Sequence, residues 1–352
     1  MKKVLKRTGI VLLIVVLVVV IVTIIMFGNE IRSLASIKKL DDYGLFQMTY
    51  YSDYGFDEFL KAGAENDGEI EAFLVKHLLK GLPINLDLAG GGCTVFVTKN
   101  ENGDVLFGRN WDFSYSPGMQ VFTRPKNGYA SVSTANLAFV GYSEDNLPSG
   151  LNFSSFLALA APYVPIDGMN EKGVAMALLA VPESEPPFDE NKVMLNTTTA
   201  IRLVLDKAAS VDEAVELLSQ YNIYFSYGID SHFLIGDASG KSVLVEYYDG
   251  GMQVVTTDED YQVASNFIAY NGVNIGEGFN EFERYDRVRE AIDSNGCVLS
   301  VEQSVALLAE VCITYNGEDK LEWTAIYNLS NLDGTIFADR NTGNLIEFRL
   351  MP

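Results

Sequence analysis

The sequence predicts a domain of mixed α and β structure behind one apolar helix. Three observations carry that expectation. An uncharged apolar run covers residues 9–28, directly after Lys2, Lys3, Lys6 and Arg7. Short β-forming runs recur in pairs around Asn, Gly, Asp and Ser turns: 95–98 with 105–107, 231–237 with 242–248, and 322–329 with 334–338. Helical stretches at 197–205 and 211–219 fall between the pairs, the second opened by a capping box of Ser210 and Glu213.

Taken in order, the apolar run is long enough to span a bilayer. Its basic flank predicts residues 1–8 in the cytoplasm and the rest of the chain on the extracytoplasmic side. A cleaved signal peptide is the rival, but no small-residue cleavage site follows the run directly; Ser33-Leu34-Ala35 lies further on. Residues 29–92 read as a helical segment, with stretches at 57–62 and 69–80, that stops at Gly81-Leu82-Pro83. Ile70, Phe73, Leu74, His77 and Leu78 share one face of the second stretch, so His77 reads as a packed helix histidine. The remainder, 93–352, is the candidate functional domain. It is 48% hydrophobic over the whole chain, ample for a core, and 25 basic against 47 acidic residues give a net charge of −22. That balance excludes nucleic acid as a partner. Cys93, Cys297 and Cys312 do not make a disulfide scaffold; the last two read as buried thiols.

The chain is organised around Gly90-Gly91-Gly92-Cys93-Thr94. The hairpin that follows ends in Gly108-Arg109-Asn110-Trp111-Asp112. A hairpin folds its ends together, so a thiol, a guanidinium and a carboxylate meet at one sheet edge. The loop-rich stretch 113–149 carries Phe113, Tyr115, Met119, Phe122, Tyr129, Phe139 and Tyr142, which either line an apolar pocket or cover a core edge. A polar turn, Asp167-Gly168-Met169-Asn170-Glu171-Lys172-Gly173, leads into a strand at 175–181. Residues 261–267 read as a strand that ends near Asn266, and Glu283-Arg284-Tyr285-Asp286-Arg287 opens a helix.

Cys93-Thr94 with the Gly-Arg-Asn-x-Asp element at 108–112 resembles the linear-amide hydrolases of the N-terminal-nucleophile superfamily. That group includes the choloylglycine hydrolases, the penicillin V acylases and the acid ceramidase-like amidases. The resemblance covers about residues 93–352 and implies an α+β fold, a four-layer αββα sandwich. It implies Cys93 as nucleophile, Arg109 favouring the thiolate, and Asp112 orienting the α-amine. Asn266 and Asn170, the latter from an Asn-Glu-Lys-Gly turn, take the oxyanion roles by the same resemblance. Arg284 holds the set together, with Arg287 as runner-up.

The implied reaction cleaves the carbon–nitrogen bond of a linear N-acyl amide or a bile-salt-like conjugate, without a metal or organic cofactor. Neither histidine, His77 or His232, falls near a motif, so the base is expected to be the α-amine of Cys93 itself. That requires the Gly92–Cys93 bond to be broken. The long segment before Cys93 is similar in layout to the acid ceramidase-like branch, whose N-terminal segment is removed by self-cleavage. The rival readings are an acyltransferase using the same nucleophile and a surface-anchored binding protein on this fold.

Overall fold

The computed structural model describes residues 2–79, 81, 92–148, 154–276, 278, 280–315, 318–319 and 321–350; several side chains within residues 2–26 and at 154, 227, 314–315 and 318–319 are not among them. Residues 82–91, and with them Gly90 and Gly91, lie outside the described residues.

The chain begins with one long helix, α1 (Lys2–Ala35). Side chains 10–15, Leu17 and Val18 stand exposed along it, and its last turns dock where Ser33 and Leu34 are buried. Among the described residues no helix is long and apolar enough to cross a membrane, so the expected span over 9–28 gains no support from the fold.

Residues 29–92 are less helical than their sequence pattern suggests. Helices α2 (Phe56–Ala62) and α3 (Asp67–His77) are present, but so are strands β1 (Lys38–Lys39) and β2 (Leu45–Thr49). Strand β2 pairs in parallel with β5 (Gly118–Thr123), so this segment is built into a sheet of the main body. Its Tyr54 hydroxyl reaches both oxygens of Asp206 at 2.8 Å. Asp206 pairs with Arg202 at 2.8 Å, and Arg202 donates to Ser131 at 2.6 Å. His77 stacks on Phe73 with ring centroids 4.2 Å apart, as a packed helix histidine does.

The functional hairpin forms as read. Strands β3 (Gly92–Lys99) and β4 (Val105–Asp112) pair antiparallel with Cys93 opposite Trp111 and Val95 opposite Arg109. The stretch 113–149 is more regular than expected: it supplies β5 and β6 (Ser131–Asn136). The polar turn at 167–174 is half strand, because β7 (Pro165–Asn170) runs fully buried beside β8 (Ala175–Ala180). β7 and β8 lack the strict apolar alternation of a half-exposed strand, since layers on both faces, α4 (Thr197–Lys207) and the facing sheet, bury all of their positions.

The next region holds β9 (Met194–Asn196), α4 (Thr197–Lys207), α5 (Val211–Ser219), β10 (Asn222–Tyr224), and the hairpin of β11 (Ser231–Gly236) and β12 (Ser242–Tyr248). Ser210 caps α5 as read, its Oγ accepting from the Glu213 amide at 3.2 Å, but the expected box does not close on Ser210: the Glu213 carboxylate accepts from the Ala209 amide instead, at 2.8 Å. Strand β13 (Gly251–Val255) closes this sheet, followed by β14 (Gln262–Ala264), β15 (Phe267–Ile268) and β16 (Ile275–Gly276). Helices α6 (Glu281–Ser294) and α7 (Val301–Glu310) precede β17 (Thr314–Tyr315), β18 (Glu318–Asp319), β19 (Leu321–Asn328), β20 (Asp333–Ala338) and β21 (Ile346–Arg349).

Two sheets face each other. One has nine strands in the order β1-β2-β5-β6-β7-β8-β11-β12-β13, the other six in the order β14-β3-β4-β19-β20-β21. Helices α4 and α5 cover the first, α6 and α7 the second, and β3 lies across β8 in the middle. This is the αββα layering. Alternation along β3 and β4 sends Cys93, Val95, Arg109 and Trp111 inward between the sheets, and Thr94, Phe96 and Asn110 outward toward α6 and α7. Gly108 is glycine for a steric reason: a Cβ there would stand 2.5 Å from Cζ of Phe96, its partner across the hairpin.

Candidate active site

Cys93 lies at the start of β3, buried to 1%. Its thiol faces Arg109, whose Nη2 stands 3.5 Å from Sγ. The same Nη2 donates to the Leu178 carbonyl of β8 at 2.9 Å. Burial pushes the Cys93 thiol up to about 11, against the pull of Arg109 and Arg284 and with a further push from Asp112. A thiol so raised is protonated at neutral pH, and only a neighbouring base would make it a nucleophile.

The backbone of Cys93 is held as firmly as its side chain. Its amide donates to Asn266 Oδ1 at 2.7 Å. Its carbonyl accepts from Arg284 Nη1 at 2.6 Å and from Ser265 Oγ at 3.3 Å. Arg284 enters from α6 on the outer side, where Nη1 also reaches Thr94 Oγ1 at 2.6 Å and Nη2 reaches Asn266 Oδ1 at 2.8 Å. Both groups facing Asn266 Oδ1 can only donate, which fixes the amide's orientation. Its Nδ2 donates to the Ala180 carbonyl at 2.8 Å, and among the described residues its second N–H has no acceptor.

Asp112 closes β4 directly opposite Gly92, the residue before the thiol. Close packing explains Gly92: a Cβ there would meet Ile313 Cδ1 at 2.0 Å and Asn266 Oδ1 at 2.9 Å.

Five of the six expected residues thus converge: Cys93, Arg109, Asp112, Asn266 and Arg284. Asn170 does not join them. Its Nδ2 donates to the carbonyls of Leu205 (3.1 Å) and Ala208 (2.8 Å), and its Oδ1 accepts from the amides of Lys172 (3.0 Å) and Val174 (3.1 Å). It braces its own turn against the end of α4, so the structure does not bring it to the oxyanion position expected for it: its polar atoms are spent on backbone. The runner-up Arg287 pairs instead with Glu310 on the surface at 2.8 Å. His232 holds Glu246 at 2.9 Å, and that carboxylate also accepts from the amides of Ala269 and Tyr270, a structural arrangement as read.

Sequence reading missed Asp167, whose Oδ2 stands 3.4 Å from Arg109 Nη1 with both side chains fully buried. Its signal was an acid within a run that β7 buries completely. A narrow cleft of about 30 Å³, lined by Trp111, Phe113, Phe139, Leu178, Ala180 and Ile229 among others, opens at Trp111, the residue opposite Cys93 in the hairpin. Of the apolar residues expected there, Phe113, Met119, Phe139 and Tyr142 are all part of the core, and Phe113 and Phe139 also line this cleft.

The family model of the linear amide C–N hydrolases, choloylglycine hydrolase family, matches residues 93–291, more than half of the chain. A penicillin V acylase of Pectobacterium atrosepticum is 37% identical over 111 residues, 28% of this chain and 29% of that protein. A bile salt hydrolase/transferase of Clostridium perfringens is 30% identical over 203 residues, 53% of this chain and 59% of that protein. The matched part is thus less than two thirds of either relative's length. Among solved structures, a penicillin V acylase from Agrobacterium tumefaciens superposes with a TM-score of 0.51 at 19% identity, over 70% of this chain and 83% of the other. A mutant conjugated bile acid hydrolase from Clostridium perfringens gives 0.53 at 19% identity, over 73% and 92%. At such identity these two likenesses speak for the fold alone, an α+β fold with facing sheets.

Proposed function

Because the chain belongs to the linear amide C–N hydrolases of the choloylglycine hydrolase family, we propose that it hydrolyses an N-acyl amide through Cys93 after cutting its own chain before that residue. The observation that carries the reading is the grip on Cys93: Sγ on Arg109, the amide on Asn266, the carbonyl on Arg284. A structural cysteine in a strand requires none of these.

In self-cleavage the thiol adds to the Gly92 carbonyl carbon. The carbon–nitrogen bond then breaks, the thiol proton passes to the freed α-amine, and water hydrolyses the thioester to leave a carboxyl group on Gly92. In turnover the α-amine takes the thiol proton, the thiolate attacks the substrate's amide carbon, and the proton leaves with the amine. Water, activated by the same amine, releases the acyl group. Arg109 lowers the cost of the thiolate in this buried place. The free N–H of Asn266 stabilises the oxyanion, Asp112 orients the α-amine, and Arg284 holds the Cys93 carbonyl and Asn266 together. The aromatic cleft at Trp111, opposite Cys93 in the hairpin, favours an apolar acyl group. One matched relative is named both hydrolase and transferase, and that favours a second reading, in which an amine replaces water as acyl acceptor. We further propose that α1 tethers the enzyme to a membrane with residues 1–8 cytoplasmic and the catalytic domain outside; the exposed apolar side chains at 10–15, 17 and 18 support this.

The test is Cys93→Ala against Cys93→Ser in the full chain. Active wild-type protein is expected to yield a new N-terminus, Cys-Thr-Val-Phe, and Cys93→Ala neither the cut nor turnover of a panel of N-acyl amino acids, bile salt conjugates and penicillin V. Cys93→Ser is expected to retain cutting with much reduced turnover. Full activity from protein whose Gly92–Cys93 bond is intact would overturn the mechanism.

A further inference from the structure

We infer that Asp167 is a positioning residue, which anchors the far end of the Arg109 guanidinium so that the near end is held at the Cys93 thiol. The inference rests on the reading of Cys93 as nucleophile. Arg109 reaches inward from the six-stranded sheet, and Asp167 meets it from the nine-stranded one, at 3.4 Å between Nη1 and Oδ2. On the other side Nη2 is shared between Sγ at 3.5 Å and the Leu178 carbonyl at 2.9 Å. Neither Nε nor Nη1 has a hydrogen-bond partner of good geometry among the described residues. Asp167 is therefore the ion-pair partner that faces Nη1, and with the Leu178 carbonyl on Nη2 it sets the rotation of the guanidinium about its long axis.

Asp167 is itself fixed from β19. Trp323 Nε1 donates to Oδ2 at 3.1 Å, and the Tyr327 hydroxyl donates to Oδ1 in a short bond. Thr134 Oγ1 lies 3.3 Å from that hydroxyl on β6. An indole and a guanidinium can only donate, and burial followed by the neighbouring Asp167 pushes the Tyr327 phenol far above its usual range, so it too keeps its proton. Two hydrogen-bond donors and the guanidinium 3.4 Å away thus face the two oxygens of Asp167. A fully buried ion pair contributes little net stability, because desolvation offsets the attraction. What it does supply is a fixed direction, and here the direction points at the thiol.

The experiment uses the full chain with Asp167→Asn, and Tyr327→Phe as a milder variant that keeps the carboxylate. Alkylation of Cys93 by iodoacetamide is followed across pH on its own peptide by mass spectrometry, next to kcat, KM and a thermal melt. A positioning role predicts that the alkylation midpoint of folded Asp167→Asn lies about one pH unit higher. It also predicts kcat down about a hundredfold with KM little changed. Tyr327→Phe should shift the midpoint the same way by less. A midpoint that stays in place would overturn the inference, since a merely structural residue leaves the thiol's titration alone. A midpoint that falls would also overturn it, making Asp167 only a negative charge opposing the thiolate. If Asp167→Asn does not fold, Tyr327→Phe decides by the same two outcomes. Failure of the underlying nucleophile reading shows separately, as turnover retained in Cys93→Ala.

Discussion

Two stretches of this chain match the same family pattern with similar fidelity, and the fold uses them differently. The hairpin from Cys93 to Asp112 delivers its thiol, guanidinium and carboxylate to one place. The turn from Asp167 to Gly173 keeps its asparagine for itself, with both ends of the Asn170 amide bound to backbone. From that turn it is Asp167, three residues earlier, that reaches the thiol's partner. The lesson is one of direction. A hairpin sets which side chains stand opposite each other through its own register. A turn at the end of a central strand sets only its own closure, and which strand residue faces the other sheet follows from the packing of both.

The largest expected effect separates the two asparagines. Asn266→Ala should lower kcat by about a hundredfold to a thousandfold, the usual loss of an oxyanion donor, and should disturb self-cleavage as well. Steady-state kinetics and N-terminal sequencing read both. A loss of less than about threefold in kcat would move Asn266 to the structural side of the comparison.

Next comes a pH effect at the border between the N-terminal segment and the catalytic body. Glu322 is buried where Tyr43 Oη donates to it at 3.3 Å and the Ser116 amide at 2.8 Å. Burial first, then Asp339 and Asp112, raises its pKa to about 8, against the two hydrogen bonds. The folded value lies above the unfolded one, so the folded state binds the extra proton. The stability it contributes is whole below the ordinary carboxylate range and is lost as pH rises through about 8. Chemical unfolding of the full chain should show stability falling between mildly acidic and alkaline pH by a few kcal/mol at most, about 1.4 kcal/mol per unit of pKa difference before relaxation. Glu322→Gln should flatten that slope, and an unchanged slope would place its cause elsewhere.

The smallest effect on activity is expected for Asn170→Ala. Catalysis in the folded fraction should stay within a few-fold, while unfolding becomes easier by about 1–3 kcal/mol, because two carbonyls and two amides lose their partner. If the rate collapsed in well-folded Asn170→Ala protein, the two stretches would be alike after all.

The sequence by itself determined the local parts. Strand pairing from Cys93 to Asp112, the Ser210 cap on α5 and the helical faces around Ile70 and Leu74 all follow from turn chemistry and periodicity over a few residues. Cys93, Arg109 and Asp112 were legible because one hairpin carries all three. Asn266 and Arg284 were legible only through resemblance, since 173 and 191 residues separate them from Cys93 in the contacts they make. The tertiary structure alone decided the rest. It drew residues 45–49 of the N-terminal segment into the nine-stranded sheet, and it buried Asp167 opposite Arg109 while turning Asn170 back on its own loop. The physical reason is the two-residue alternation of strands: sequence gives the period, but which of its two faces meets the other sheet is settled only when both sheets pack.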